Sequence, residues 1–179
     1  MIWPRRTRWK PSSRMPILDL TDLPSALGNG APIAGLDLGT KTIGVAVSDT
    51  SLMIASPLGL IKRTKFTEDV EVLFALMAKR GALGLVIGLP VNMDGTEGPK
   101  CQSVRAFGRH LLRLRDLPIA YWDERLSSAA VNRVLISEAD TTRGRRAEVV
   151  DKMAAAWILQ GALDRMRSRP APVASSPNP

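Results

Sequence analysis

Three acidic residues lie where an acid is costly and therefore informative. Asp37 sits inside the apolar run Ile33-Ala34-Gly35-Leu36-Asp37-Leu38, and Glu124 ends the run Ile119-Ala120-Tyr121-Trp122-Asp123. Asp151 opens a helical stretch whose next turn holds Ala154 and Ala155, small residues that would let the helix approach a sheet closely. A carboxylate carried into a central strand needs a partner, because burial unpaired is expensive or forces protonation. Three converging carboxylates repel one another and stay ionised together only around a compensating positive charge. With one cysteine, Cys101, and one histidine, His110, the chain can build neither a disulfide framework nor a Cys/His zinc site. The expected ion is Mg²⁺, with Mn²⁺ as a substitute, because it takes oxygen ligands, keeps several waters and activates one while bridging phosphate oxygens. The chemistry implied is phosphodiester hydrolysis. Each acid also has a plainer reading: Asp151 as complement to a helix dipole, Glu124 as partner of Arg125 or a solvated loop residue, Asp37 as half of an internal ion pair. Only their combination argues for catalysis.

The elements that must position these acids follow from the hydrophobic pattern. Ile33 to Leu38 and Ile43 to Ser48 read as strands joined by Gly39-Thr40-Lys41-Thr42, an antiparallel hairpin, with Leu58 to Ile61 pairing as a third. By two-residue alternation Asp37 shares a face with Ile33 and Gly35. Val70, Leu73, Phe74, Met77 and Ala78 then fall at helical spacing, with Thr67 as N-cap and Gly81 as the stop. Leu83 to Leu89 is the next strand, and Pro99 opens a helix with the apolar face Val104, Phe107, Gly108, Leu111 and Leu112. Ile119 to Trp122 follows as a strand, and helices over 127–138 and 148–166 complete the domain. A three-strand meander followed by two helix-then-strand units predicts an α/β fold of ribonuclease H-like type, a mixed five-stranded sheet flanked by helices. Glu124 then lies at a strand's carboxyl end, where open α/β sheets place their ligands.

With 179 residues the chain has room for one such domain, over 31–167. Residues 1–30 are expected to be a disordered or mis-started N-terminal extension, with Met15 an alternative start, and residues 168–179, carrying four prolines, a disordered tail. The formal charge of +8 is concentrated at the start, in Arg5, Arg6, Arg8, Lys10 and Arg14, so it is a weak argument for nucleic acid. The longest apolar stretch, Ala82 to Val91, is about half a membrane span and is broken by Gly84, Gly88 and Pro90. No export signal follows Arg5 and Arg6, so cytoplasmic residence and no membrane partner are expected.

The run Gly35-Leu36-Asp37-Leu38-Gly39-Thr40-Lys41-Thr42-Ile43-Gly44-Val45-Ala46-Val47-Ser48-Asp49 resembles the opening motif of the YqgF family, also called RuvX. Gly88-Leu89-Pro90-Val91-Asn92-Met93-Asp94-Gly95-Thr96, Asp123-Glu124-Arg125-Leu126-Ser127 and Val150-Asp151-Lys152-Met153-Ala154-Ala155 resemble three further motifs of that family, in the right order. The resemblance spans about residues 33 to 165. It implies a ribonuclease H-fold nuclease with catalytic and metal-holding Asp37, Glu124 and Asp151, whose task is maturation of the 5′ end of precursor 16S ribosomal RNA. Its partners would be precursor rRNA and ribosomal particles, and its oligomeric state monomer or homodimer. Holliday-junction resolution, with DNA junctions as substrate, is the alternative the same resemblance implies. Junction resolvases carry acids where this chain has Gly88-Leu89-Pro90 and Ala154, a difference that favours RNA processing.

Lys41 follows the Asp37 strand, Arg125 follows Glu124, and Arg143, Arg145 and Arg146 precede the Asp151 helix, so these loops should ring the site and grip phosphates. Asn92, in the second motif, is a further candidate substrate contact. Arg105, Arg109 and Arg113 repeat along one helix edge and read as a solvated face. Two readings from other classes compete: an actin-like ATPase, suggested by Asp37-Leu38-Gly39-Thr40 but opposed by a length that allows one lobe, and a non-catalytic RNA-binding assembly factor.

Overall fold

A computed structural model describes residues 17–28, 30–126 and 143–168, the stretch 143–149 by its backbone alone. The expected helix over 127–138 lies outside the described residues. Six strands form one sheet: β1 (Ile17–Leu18), β2 (Ile33–Leu38), β3 (Thr42–Ser48), β4 (Ala55–Lys62), β5 (Gly84–Leu89) and β6 (Ile119–Asp123), in the spatial order β1-β6-β5-β2-β3-β4. The meander β2-β3-β4 is antiparallel, while β5 and β6 run parallel to β2. That order is the ribonuclease H-like arrangement.

The expected five strands are there, and the difference is a sixth. Ile17 and Leu18 pair in parallel with Ile119 and Ala120, and the chain continues through a 3₁₀ turn (Leu20–Asp22) and α1 (Leu23–Leu27). Two residues are too few to show alternation, so this strand leaves no periodic signal. Its attachment is tertiary: Leu23 is fully buried, and Leu27 packs over Gly84.

The remaining helices are α2 (Phe66–Arg80), α3 (Pro99–Leu114) and α4 (Arg143–Arg167). The sheet is covered on both faces. On one, Val70, Leu73 and Met77 of α2 and Val104, Phe107 and Leu111 of α3 pack on Leu36, Val45, Leu85 and Ile87. On the other, Ala155, Ile158, Leu159, Ala162 and Leu163 of α4 pack on Ile33, Ala46, Val86 and Trp122. Gly81 ends α2 in the left-handed conformation (φ 67°), as its position in the sequence predicts. The start differs from expectation: α2 begins at Phe66, not after Thr67. The buried Asp69 carboxylate accepts the Thr64 backbone N–H at 2.9 Å, and Thr64 Oγ1 donates to Glu68 Oε2 at 2.9 Å. Helix α4 likewise starts at Arg143, earlier than residue 148.

Leu159 is fully buried against Gly35 at the centre of the α4 face. Leu159→Ala is expected to lower stability by about 2–5 kcal/mol through lost burial and the cavity left behind. Urea unfolding followed by circular dichroism checks this, and an unchanged midpoint would contradict the packing described.

Candidate active site

The sheet presents Asp37, Glu124 and Asp151 at one end. Asp37 stands opposite Gly44 in the β2–β3 pair, on the face shared with Ile33 and Gly35, which is the face α4 covers. A Cβ on Gly44 would collide with the Asp151 backbone oxygen and would lie 3.3 Å from the Ala155 Cβ. Only the missing side chain lets α4 descend far enough to carry Asp151 to the sheet, with Ala154 and Ala155 supplying the thin helix surface. Once there, the Asp151 Oδ2 accepts the Thr42 hydroxyl at 2.6 Å.

Glu124 leaves β6 at the first residue of a 3₁₀ turn (Glu124–Leu126). Its side chain reaches back over β5, where a Cβ on Gly88 would come within 2.7 Å of Glu124 Oε1. Gly88 is thus the space that receives Glu124, and an acid at that position would have no room. Glu124 lies over β5, Asp37 on β2 and Asp151 over β3. The acids therefore span three adjacent strands, each step about 4.8 Å.

All three acids line one pocket of about 350 Å³, together with Leu38, Gly39, Thr40, Pro90 and Val104. They share it without being collapsed onto a point: among the described residues, no group of three or more His, Cys, Asp or Glu is gathered as a ready cage for a metal ion. The donor set nevertheless suits a hard cation. Mg²⁺ is usually held through one or two carboxylates and completes its shell with water and substrate phosphate, so a full protein cage is not required.

The predicted basic contacts fare differently. Lys41 is exposed in the β2–β3 turn, and its carbonyl accepts the Arg63 backbone N–H. Arg125 is held away in an ion pair, its Nη2 2.6 Å from Asp123 Oδ2, which keeps the Asp123 carboxyl below the usual range. Asn92 donates its side-chain N–H to Thr96 Oγ1 at 2.9 Å and so shapes the loop after β5. None of the three lines the pocket. Arg143, Arg145 and Arg146 fall in the first turns of α4, where only the backbone is described. Arg105 is not simply solvated: it forms a two-pronged pair with Glu97 and stacks 5.0 Å from the Tyr121 ring centre. Among the described residues, the cations that line the pocket are Arg63 and Lys100, accompanied by Ser103. Sequence reasoning missed them because neither borders an acidic motif; chain reversal at the ends of β4 and β5 brings them in.

The fold is ribonuclease H-like, and the relatives and family model that the chain matches make it a nuclease, a hydrolase of nucleic-acid ester bonds. The chain is similar to a protein of Phenylobacterium zucineum (strain HLK1) named "Putative pre-16S rRNA nuclease", 69% identical over 155 residues, covering 86% of this chain and 99% of that one. A Rhodospirillum rubrum protein of the same name is 64% identical over 157 residues, covering 87% and 98%. The solved "T. thermophilus RuvC in complex with Holliday junction substrate" is similar at 12% identity and a TM-score of 0.46, covering 77% of this chain and 96% of that one. The model of the RuvX family, described as Holliday junction resolvase, matches residues 31–165, and the chain belongs to that family.

Two outcomes test the geometry. Gly44→Ala should push α4 off the sheet, costing roughly 1–3 kcal/mol by overpacking. Its melting temperature should fall, whereas an unshifted melt would mean α4 does not sit as described. The Asp94 carboxyl accepts the Thr96 backbone N–H at 2.9 Å and the Thr96 hydroxyl at 2.6 Å, and these bonds lower its pKa. The ordering they provide is present above the ordinary aspartate value of about 3.9 and lost as pH falls through the lower folded value. The Thr96 amide resonance should therefore titrate with a midpoint below about 3.9, and Asp94→Ala should abolish the transition.

Proposed function

We propose that this chain is a Mg²⁺-dependent ribonuclease that trims the 5′ end of precursor 16S ribosomal RNA in the cytoplasm. The observation that carries the reading is the convergence of Asp37, Glu124 and Asp151, far apart in sequence, on one pocket at the end of the sheet. The substrate is drawn from the names of relatives sharing about two thirds of this sequence over nearly their whole length.

Asp37, Glu124 and Asp151 would hold the cation, with Mn²⁺ able to replace Mg²⁺. When bound, it supplies an activated water and neutralises charge on the phosphate. The chain's own contribution is orientation. The Thr42 hydroxyl turns Asp151, Gly88 makes room for Glu124, and the β2 ladder fixes Asp37. Substitution of Asp37, Glu124 or Asp151 by its amide keeps the shape and removes the charge.

A second reading, resolution of DNA four-way junctions, is favoured by the description of the matching family model. Against it, this chain has Gly88-Leu89-Pro90 and Ala154 where junction resolvases would carry further acids, and Ala154 is fully buried. Cutting both strands of a junction also calls for a symmetric dimer, whereas trimming an end does not.

The test compares Mg²⁺-dependent cleavage of precursor 16S rRNA and of a four-way DNA junction. Wild type is expected to cut the RNA, and Asp37→Asn, Glu124→Gln and Asp151→Asn to lose at least about 100-fold in rate with their melts retained. Preferential cutting of the junction would move the assignment to recombination. RNA binding without cleavage of either substrate would make the protein a non-catalytic assembly factor.

A further inference from the structure

Among the described residues, the pocket carries two cations that the acidic chemistry leaves unused. Arg63 follows β4 and Lys100 lies in the first turn of α3, so they arrive from opposite sides of β2 and bracket the strand end that bears Asp37. Ser103 lies one turn along α3 from Lys100 and lines the same pocket. The Arg63 Nη1 donates to the Gly39 carbonyl at 2.8 Å, which steadies the guanidinium beside the turn that follows Asp37. Pocket residues Val104 and Val150 belong to α3 and α4, which cover opposite faces of the sheet. The pocket is thus the gap at the sheet end where the two coverings separate, with carboxylates from the sheet and α4 and cations from α3 and the β4 exit.

Three carboxylates alone would repel a polyanion, so a strand brought to them must be held by something else. Two of the candidates from sequence lie away from the pocket: the Arg125 guanidinium is paired with Asp123, and Lys41 does not line the cavity. We infer that Arg63, Lys100 and Ser103 form a phosphate subsite that grips the nucleic-acid backbone beside the scissile phosphodiester. This rests on the nuclease reading above and names the residues that seat its substrate. Arg63 offers a planar fork and Lys100 a compact ammonium, both suited to phosphate oxygens, while the Ser103 hydroxyl adds a neutral donor.

Binding and chemistry can be read separately. A fluorescent single-stranded RNA is titrated in EDTA, without cleavage, at a series of salt concentrations. Each lost phosphate contact should flatten the dependence of log K on log salt by about 0.7. Lys100→Ala and Arg63→Ala should each show this decrease with several-fold weaker binding, and the double variant about twice the decrease. Lys100→Arg should keep the wild-type slope. Lys79→Ala, an exposed substitution in the last turn of α2, should change nothing. In Mg²⁺, Lys100→Ala should raise KM more than it lowers kcat, the mark of lost ground-state and transition-state binding together. Slopes unchanged in the pocket variants, slopes changed equally by Lys79→Ala, or no RNA binding by wild type would each overturn the subsite. Cleavage by wild type in Mg²⁺ judges the nuclease reading independently.

Discussion

The structure depends on how closely α4 approaches the sheet. Gly35 and Gly44 leave two shallow places on the β2–β3 surface, filled by Leu159 and the Ala155 backbone at the first and by the Asp151 backbone and Ala155 at the second. This contact buries much of the second core, and because packed interiors tolerate almost no excess volume, it also fixes the height of the helix to within fractions of an ångström. Asp151 stands at the end of that contact. Its position relative to Asp37 is therefore set by apolar packing several residues away, and only the last adjustment is left to a polar bond, from Thr42. Stability and site geometry share one interface, so a residue that loosens the first displaces the second.

Glu124 is placed by a similar economy. The sheet runs out at Asp123, the chain turns through a 3₁₀ segment, and the side chain returns over Gly88. Both flanking acids thus lie above glycines of the strands neighbouring β2, and the three carboxylates are spread across β5, β2 and β3. On the proposed reading, such a row would suit a cation that keeps much of its own water. Beyond the acids, the pocket changes sign, with Arg63 and Lys100 bracketing the β2 end. The loop after β5 is built more stiffly than its length suggests, because Asn92, Asp94 and Thr96 bond one another around the left-handed Gly95.

How much could be read beforehand varied with the range of the interaction involved. The alternation that put Asp37 on the face of Ile33 and Gly35 was visible because a strand's period is local, and the same holds for the helical spacing of Val104, Phe107 and Leu111. The strand Ile17–Leu18 was not visible, since it exists only through its pairing with Ile119 and Ala120. The start of α2 at Phe66 carries no local signal, because the ordering bonds join Thr64 to residues on the following turn. Among the basic residues with described side chains, Arg125 pairs with its sequence neighbour Asp123 and does not line the pocket.

By itself, then, the sequence determined the element types and order, the three acids and the family's motifs, all of which are written in local periodicity and residue chemistry. Tertiary structure alone decided that Gly44 and Gly88 are the spaces that seat Asp151 and Glu124, that Arg63 and Lys100 join the acids while Lys41 and Arg125 do not, and that a sixth strand closes one edge. The physical reason is range: periodicity is set by neighbours a few residues apart, whereas the room at a glycine or the partner of a cation is set by whichever distant segment packs there.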